Sequence, residues 1–199
     1  MLRILLILLK GSNWEISKKN IWEHNLNDAL VNALLPNCSW AVGYIPAQIR
    51  KVAIECIFVV YQVKSYFVCL CCVYIERRQL FFHKNLIKRT NWLRQVLESN
   101  IDDMDPFVRE CCVKSLYFVL EHAHDRLKMI DDEFMATLAQ AIIDRLDDGH
   151  DNIRIATCHT LQMLLRCFDK EINGKRYRTV VATAFIHLDD SNKCVQVTF

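Results

Sequence analysis

Residues 144–157 read DRLDDGHDNIRIAT, and they contain an apolar residue, two aspartates and, five residues after the second aspartate, an apolar residue followed by arginine. The pattern occurs at 101–109, at 146–154 and, with glutamine in place of arginine, at 188–196. The copies are 45 residues apart (from 101 to 146) and 42 residues apart (from 146 to 188). Repetition at such an interval is typical of stacked helical arrays, in which each copy is one supersecondary unit. The interval therefore directs the search for function to surfaces.

The second aspartate of each copy stands six residues before the arginine position, and these positions are the candidate functional residues. They are Asp103, Arg109, Asp148, Arg154 and Asp190, with Gln196 where the last arginine would be. Paired carboxylates can hold metals or transfer protons, but a group that recurs once per repeat at a turn does not behave like one active site. We interpret them as a structural repeat signature, in which each carboxylate caps the following helix and pairs with arginine.

Composition favours an all-α fold, because four glycines and three prolines in 199 residues leave little material for β-hairpin turns. Apolar spacing predicts helix hairpins, with one helix starting after Pro46, another at Pro106 behind an Asp105 cap, and another at Asp151. The predicted units are an apolar extension (1–20), a first hairpin (21–62), an irregular insertion (63–84), a second hairpin (85–125), a third (126–170) and a truncated fourth (171–199). The second helices align at Arg50, Arg109 and Arg154.

The insertion is inferred from spacing, since the interval from Ile49 to Val108 is 59 residues, longer than the others. The excess falls in Val63–Lys84, which is rich in aromatic residues and cysteine and has no helical stripe. We hypothesise that it is translated intron, because Gln62-Val63-Lys64 can be encoded by a splice-donor sequence. Sequencing of the transcript tests this: a spliced message that still encodes the segment contradicts it.

Two apolar stretches raise the alternative of a membrane protein. Met1–Lys10 has the composition of a signal-peptide core but no small-residue cleavage site after it, and it is far shorter than the roughly 20 residues that span a bilayer. Ile57–Ile75 is long enough, but Lys64 near its middle would cost about 3 kcal/mol on insertion. We therefore expect no membrane association.

Charge and chemical motifs argue against nucleic acid, metal and catalysis. A net charge of +2 gives no general affinity for nucleic acid. The ten cysteines lie mostly within apolar helical patterns, so we expect reduced, buried thiols rather than a disulfide framework. Cys69–Cys72 has no second ligand pair at zinc-finger spacing, and no phosphate loop, nucleophile elbow or HExxH motif is present. We expect no enzyme activity, cofactor or metal.

The pattern of two aspartates, a short turn and apolar-arginine resembles HEAT repeats, which implies an armadillo-like α-solenoid of about three and a half hairpins. Beyond it, residues 40–43 and 47–53, residues 144–154 and residues 186–190 are similar to the C-terminal repeats of the HEAT-repeat family of dynein axonemal assembly factor 5. Two positions depart from the repeat pattern: Tyr44 stands six residues before Arg50 where aspartate is expected, and Gln196 replaces arginine.

The resemblance implies a cytoplasmic, non-enzymatic scaffold that helps to preassemble outer and inner dynein arms for motile cilia by binding dynein intermediate or heavy chains and chaperones. The alternative is a generic HEAT-repeat adaptor of the transport or phosphatase-scaffold type. A stack of hairpins offers a long ridged surface for protein clients without a chemical step. We also expect its end faces to expose apolar residues where a neighbouring hairpin is lacking.

Overall fold

A computed structural model describes residue 3 and residues 30–71, 99–123, 132–167 and 174–198. Within these ranges the chain consists of helices joined by short turns, with no strand. The all-α prediction is therefore confirmed. No helix within the same ranges is both long enough and apolar enough to cross a membrane.

The first pair of helices begins with a π-helical turn, Leu30–Leu34, which continues into the short helix α1, Leu35–Asn37. Helix α2 spans Tyr44–Cys71. It begins two residues before Pro46 rather than after it, because proline is tolerated in the first helical turn, where its missing N–H would have no partner within the helix. Gly43 precedes α2 with φ +116°, a conformation that favours glycine.

The predicted irregular insertion (63–84) is wrong at its start, since α2 continues without interruption to Cys71. The residues from 63 to 71 include no glycine or proline, so nothing in them breaks a helix that is already formed. Positions 72–84 lie outside the described residues, as do the predicted extension at 1–20, apart from the helical and exposed Arg3, and positions 85–98 of the second hairpin.

The remaining helices follow the repeat. Ser99 and Asn100 are helical and lead through a turn to α3, Pro106–Ala123. Helix α4, Asp132–Ile143, tightens into the 3₁₀ helix Asp144–Asp147 and is followed by α5, Asp151–Cys167. Helix α6, Gly174–Ile186, ends in the 3₁₀ helix His187–Asp189, and α7 spans Lys193–Thr198. Helices α3 and α5 begin at the residues that the sequence predicted.

Helices α2, α3 and α5 pack side by side in one row and run in the same direction. The Phe58 and Phe118 rings, 6.0 Å apart, join α2 to α3. The Thr160 hydroxyl of α5 donates to the Val113 carbonyl of α3 at 3.1 Å, and the Cys167 thiol reaches the Leu120 carbonyl at 3.7 Å. Both contacts join residues 47 positions apart, as parallel helices require. Helix α7 adds to the row beside α5, and α6 lies against α4.

The core lies between these helices. Its largest fully buried side chains are aliphatic: Leu34, Ile54, Ile57, Leu116, Leu120, Leu138, Ile142, Leu146, Ile153, Leu161 and Leu164. Small residues, including Ala53, Cys112 and Thr157, occupy equivalent positions where neighbouring helices approach. This packing holds the turns between helices in register along one edge of the molecule, where the signature residues lie.

Candidate functional site: a ladder of aspartates and arginines

The second aspartate of each pair folds the turn that joins two helices. Asp148 has extended backbone angles, φ −62° and ψ 138°, which end the preceding 3₁₀ helix. Its Oδ1 accepts a hydrogen bond from the backbone N–H two residues later, at 3.1 Å. Asp103 and Asp190 make the same contact at 2.8 and 2.7 Å. The carboxylate therefore closes the turn itself.

Capping of the following helix belongs to the residue two positions after that aspartate, which corrects the sequence interpretation. Asp105 accepts the Phe107 N–H at 2.9 Å through its side chain. Asn192 accepts the Cys194 N–H at 2.8 Å in the same way. His150 occupies the equivalent position before α5. Asp and Asn are strong caps because a short side-chain oxygen reaches the unpaired amides of the first helical turn.

Each carboxylate also binds the arginine of the preceding hairpin, so the pairs form rungs between hairpins. The rungs are Arg50 with Asp103, Arg109 with Asp148, and Arg154 with Asp190. Arg109 donates through Nε at 2.7 Å and Nη2 at 3.0 Å, and Arg154 donates through the same atoms at 2.8 and 3.0 Å. Two-point contacts of this kind fix direction as well as distance, so each rung sets the position of one hairpin against the next.

The six-residue offset within each hairpin is bridged by a backbone carbonyl rather than by the carboxylate. Arg109 donates from Nη1 to the Asp103 carbonyl at 2.7 Å, and Arg154 does the same to Asp148 at 2.9 Å. Gln196 keeps this half of the pattern, since its Nε2 donates to the Asp190 carbonyl at 2.6 Å. The glutamine therefore preserves the contact within the hairpin and carries no charge toward a further hairpin.

Arg50 shows what is lost when the aspartate before it is missing. Its side chain is almost entirely buried and binds Asp103, but its Nη1 has no hydrogen-bond partner. The residue six positions earlier is Tyr44, the first residue of α2, whose carbonyl points along the helix axis. The turn that supplies a carbonyl to Arg109 and Arg154 therefore has no counterpart before Arg50.

The rungs keep their groups charged. Burial would raise the pKa of Asp148, but hydrogen bonds from Arg109 and from the His150 amide outweigh it, and the pKa is lowered from its usual value of 3.8. For Asp190 the bond from Arg154 is the largest effect and also lowers the pKa. The same contacts raise the pKa of Arg109 and Arg154. Carboxylates held as anions by arginine are poor general acids, so this geometry suits structure better than catalysis.

A second row of pairs runs beside the first, and sequence reasoning missed it. Asp102 accepts from Arg145 Nη2 at 2.8 Å, and Asp147 lies 3.8 Å from His187 Nδ1. Each basic residue stands two positions before an aspartate pair, where the second hairpin has Asn100. Extending the register two residues toward the N-terminus of each copy would have revealed this row.

The described cysteines are thiols, and most are buried. Burial is the main cause that raises the pKa of Cys38 and of Cys158 to about 12, and it raises that of Cys112 as well. Such thiols are poor nucleophiles because little thiolate forms at neutral pH. No group of three or more His, Cys, Asp or Glu residues suited to a metal occurs in the described part of the chain. Cys69–Cys72 lies at the edge of this part, and nothing is described of its side chains.

Comparison with known proteins gives one curated relative. Over 198 residues the chain is 25% identical to dynein axonemal assembly factor 5 from Xenopus laevis. The match covers 96% of this chain and 21% of the relative, so the chain spans about a fifth of that protein's length. No protein-family model and no solved structure matches. The similarity supports a relation between this chain and the family of that assembly factor.

Proposed function

We propose that the chain is a HEAT-repeat scaffold without enzyme activity that assists the cytoplasmic preassembly of axonemal outer and inner dynein arms by binding dynein subunits and chaperones. The observation that carries the proposal is the similarity to a dynein axonemal assembly factor along 96% of the chain. The activity of the relative's whole length comes to this chain only as part of the proposal.

The packing supports the HEAT-repeat part of the proposal. Three rungs of the same geometry join successive hairpins, and the second helices lie parallel in a row. An α-solenoid has this nearest-neighbour organisation, in which each repeat contacts only the repeats beside it. Arginine and aspartate are occupied by each other within the rungs, so a client would bind elsewhere on the helices.

We place the client surface on α2 and α3, at an aromatic cluster made of Phe58, Tyr117 and Phe118. The Tyr117 and Phe118 rings meet edge to face at 5.3 Å, and all three side chains are half-buried. Half-buried aromatic residues surrounded by charged ones are typical of the residues that dominate binding at protein interfaces. Lys114 and Glu110 on α3 supply such a charged surround.

Affinity capture from the cytosol of cells that are building motile cilia tests the proposal. The tagged full chain should enrich dynein intermediate or heavy chains above a tag-only control. Phe118→Ala should reduce the recovery several-fold with unchanged circular dichroism. Lys114→Ala, on the same helix, should leave the recovery unchanged, because an exposed charge contributes little to binding.

Each outcome has a separate meaning. Recovery of importin cargo or a phosphatase subunit without dynein would contradict the assembly role and favour the generic adaptor. Recovery of dynein that is equal for wild type and Phe118→Ala would keep the assembly role and contradict the aromatic cluster as its binding surface.

A further inference from the structure

The first hairpin exposes apolar residues at positions that are covered in the hairpins after it. Val42 stands eight residues before Arg50 and is 80% exposed, whereas Ile101 and Leu146, at the same position before Arg109 and Arg154, are 4% and 1% exposed. Ile49 is exposed, while the equivalent Val108 and Ile153 are buried. In the later hairpins this face lies against the hairpin before it, as the rungs from Arg50 and Arg109 show.

The last described hairpin exposes the opposite face. Phe185 on α6 is 65% exposed, and Val197 on α7 is also exposed. Their equivalents one hairpin earlier, Ile143 and Ile155, are half-buried and pack against the core. The two ends therefore leave uncovered the two complementary surfaces that meet at each junction inside the molecule.

The rung positions at the two ends are uncharged, which is the second observation. Inside the molecule a junction joins an arginine to an aspartate, and either one alone would be a costly unpaired charge when buried. The first hairpin has Tyr44 at the aspartate position, and the last has Gln196 at the arginine position. A junction between these two ends would bury no unpaired charge, and it would place an amide beside a phenol, which can hydrogen-bond to each other.

From this we infer that copies of the chain associate head to tail, with the last hairpin of one copy packed against the first hairpin of another. The contact continues the interior packing from Phe185 and Gln196 of one copy to Val42 and Tyr44 of the next. It joins two different surfaces, so it extends as linear chains rather than closing as a symmetric dimer. The inference concerns self-association and is independent of any dynein client.

Sedimentation velocity of the full chain across a concentration series tests the inference. We expect the mean mass to rise with concentration through dimers and higher oligomers. Val42→Glu and Phe185→Glu should each weaken association about 30-fold or more, because each places a charge in an apolar contact. Met104→Glu is the matched control: Met104 is an exposed apolar residue of an interior turn, and its substitution should leave association unchanged. Circular dichroism verifies that each variant is folded.

Mixing separates head-to-tail contact from other kinds of association. Val42→Glu retains a normal last hairpin and Phe185→Glu a normal first one, so an equimolar mixture should form a dimer that neither variant forms alone. A mass of one chain at every concentration would contradict the inference. So would a mixture that stays monomeric, since that would indicate a symmetric contact or non-specific aggregation in the wild type.

Discussion

At the scale of single residues, the second aspartate of each repeat has two functions that its sequence position does not separate. One oxygen of Asp148 closes its own turn through the His150 amide, and the other accepts from Arg109 of the preceding hairpin. The aspartate side chain is short enough to bind its own backbone while the long guanidinium crosses between hairpins. A single carboxylate thereby couples local backbone shape to the packing of two units.

His150 is the weakest of the three capping positions and gives a residue-scale prediction. Asp105 and Asn192 cap their helices through side-chain oxygens, whereas histidine offers no such short oxygen. We expect His150→Asn to raise the free energy of unfolding by about 1 kcal/mol. Asparagine is preferred to aspartate because the position equivalent to Lys51, which pairs with Asp105, is Glu110 in the preceding hairpin.

Urea denaturation measures the effect of His150→Asn. His159→Asn, the same substitution at an exposed position within α5, serves as the control and should leave stability nearly unchanged. Equal midpoints for wild type and His150→Asn would show that the position does not cap α5 in the way that the Asn192 geometry indicates.

At the scale of helices, direct hydrogen bonds between neighbours fix the alignment of α3 and α5. The hydroxyl of Thr160 is shared between the Ala156 carbonyl of its own helix, at 2.8 Å, and the Val113 carbonyl of α3, at 3.1 Å. Thr157 is equally buried but bonds only within its helix, to Ile153 at 2.7 Å. The two threonines differ in the interhelical contact alone.

Substitution of these threonines by valine gives the element-scale prediction. Thr160→Val should lower the free energy of unfolding by about 1 kcal/mol more than Thr157→Val, because only the first removes a bond between helices. Chemical denaturation of both variants under the same conditions provides the comparison. If the two variants lose the same stability, the contact with Val113 does not contribute.

At the scale of the whole molecule, the rungs make stability depend on pH. The pKa values of Asp148 and Asp190 are lowered in the folded chain from the usual 3.8, so their contribution is full above that value. It is lost as the pH falls from 3.8 through the lowered folded pKa values, because the unfolded chain then binds more protons. We expect stability to decline steeply below about pH 4.

Urea denaturation at pH values above and below 3.8 measures this decline, with Asp148→Asn as the comparison. The variant lacks one titrating carboxylate, so its stability should fall less over the same acid range. An equally steep decline in wild type and variant would assign the acid sensitivity to other groups.

The sequence predicted the repeated unit more accurately than the contacts within it. The helix starts at Pro106 and Asp151 were predicted because caps and first-turn residues are local signals. The partner of Arg109 was not, because the spacing to Asp103 is the same whether the guanidinium reaches that carboxylate or a neighbour's. Helix α2 extended beyond Val63 because the loss of an apolar stripe does not end a helix, whereas glycine or proline would have done so.

The rung between Arg109 and Asp148 is the most direct test of the central claim, that aspartate and arginine from successive hairpins join the helices into one stack. A double-mutant cycle of Arg109→Met and Asp148→Asn, followed by urea denaturation, measures their coupling. We predict a coupling energy of about 1–3 kcal/mol, and with Asp147→Asn in place of Asp148→Asn a value near zero, since Asp147 is exposed and binds on the other row. A coupling near zero for Arg109 and Asp148 would contradict the account.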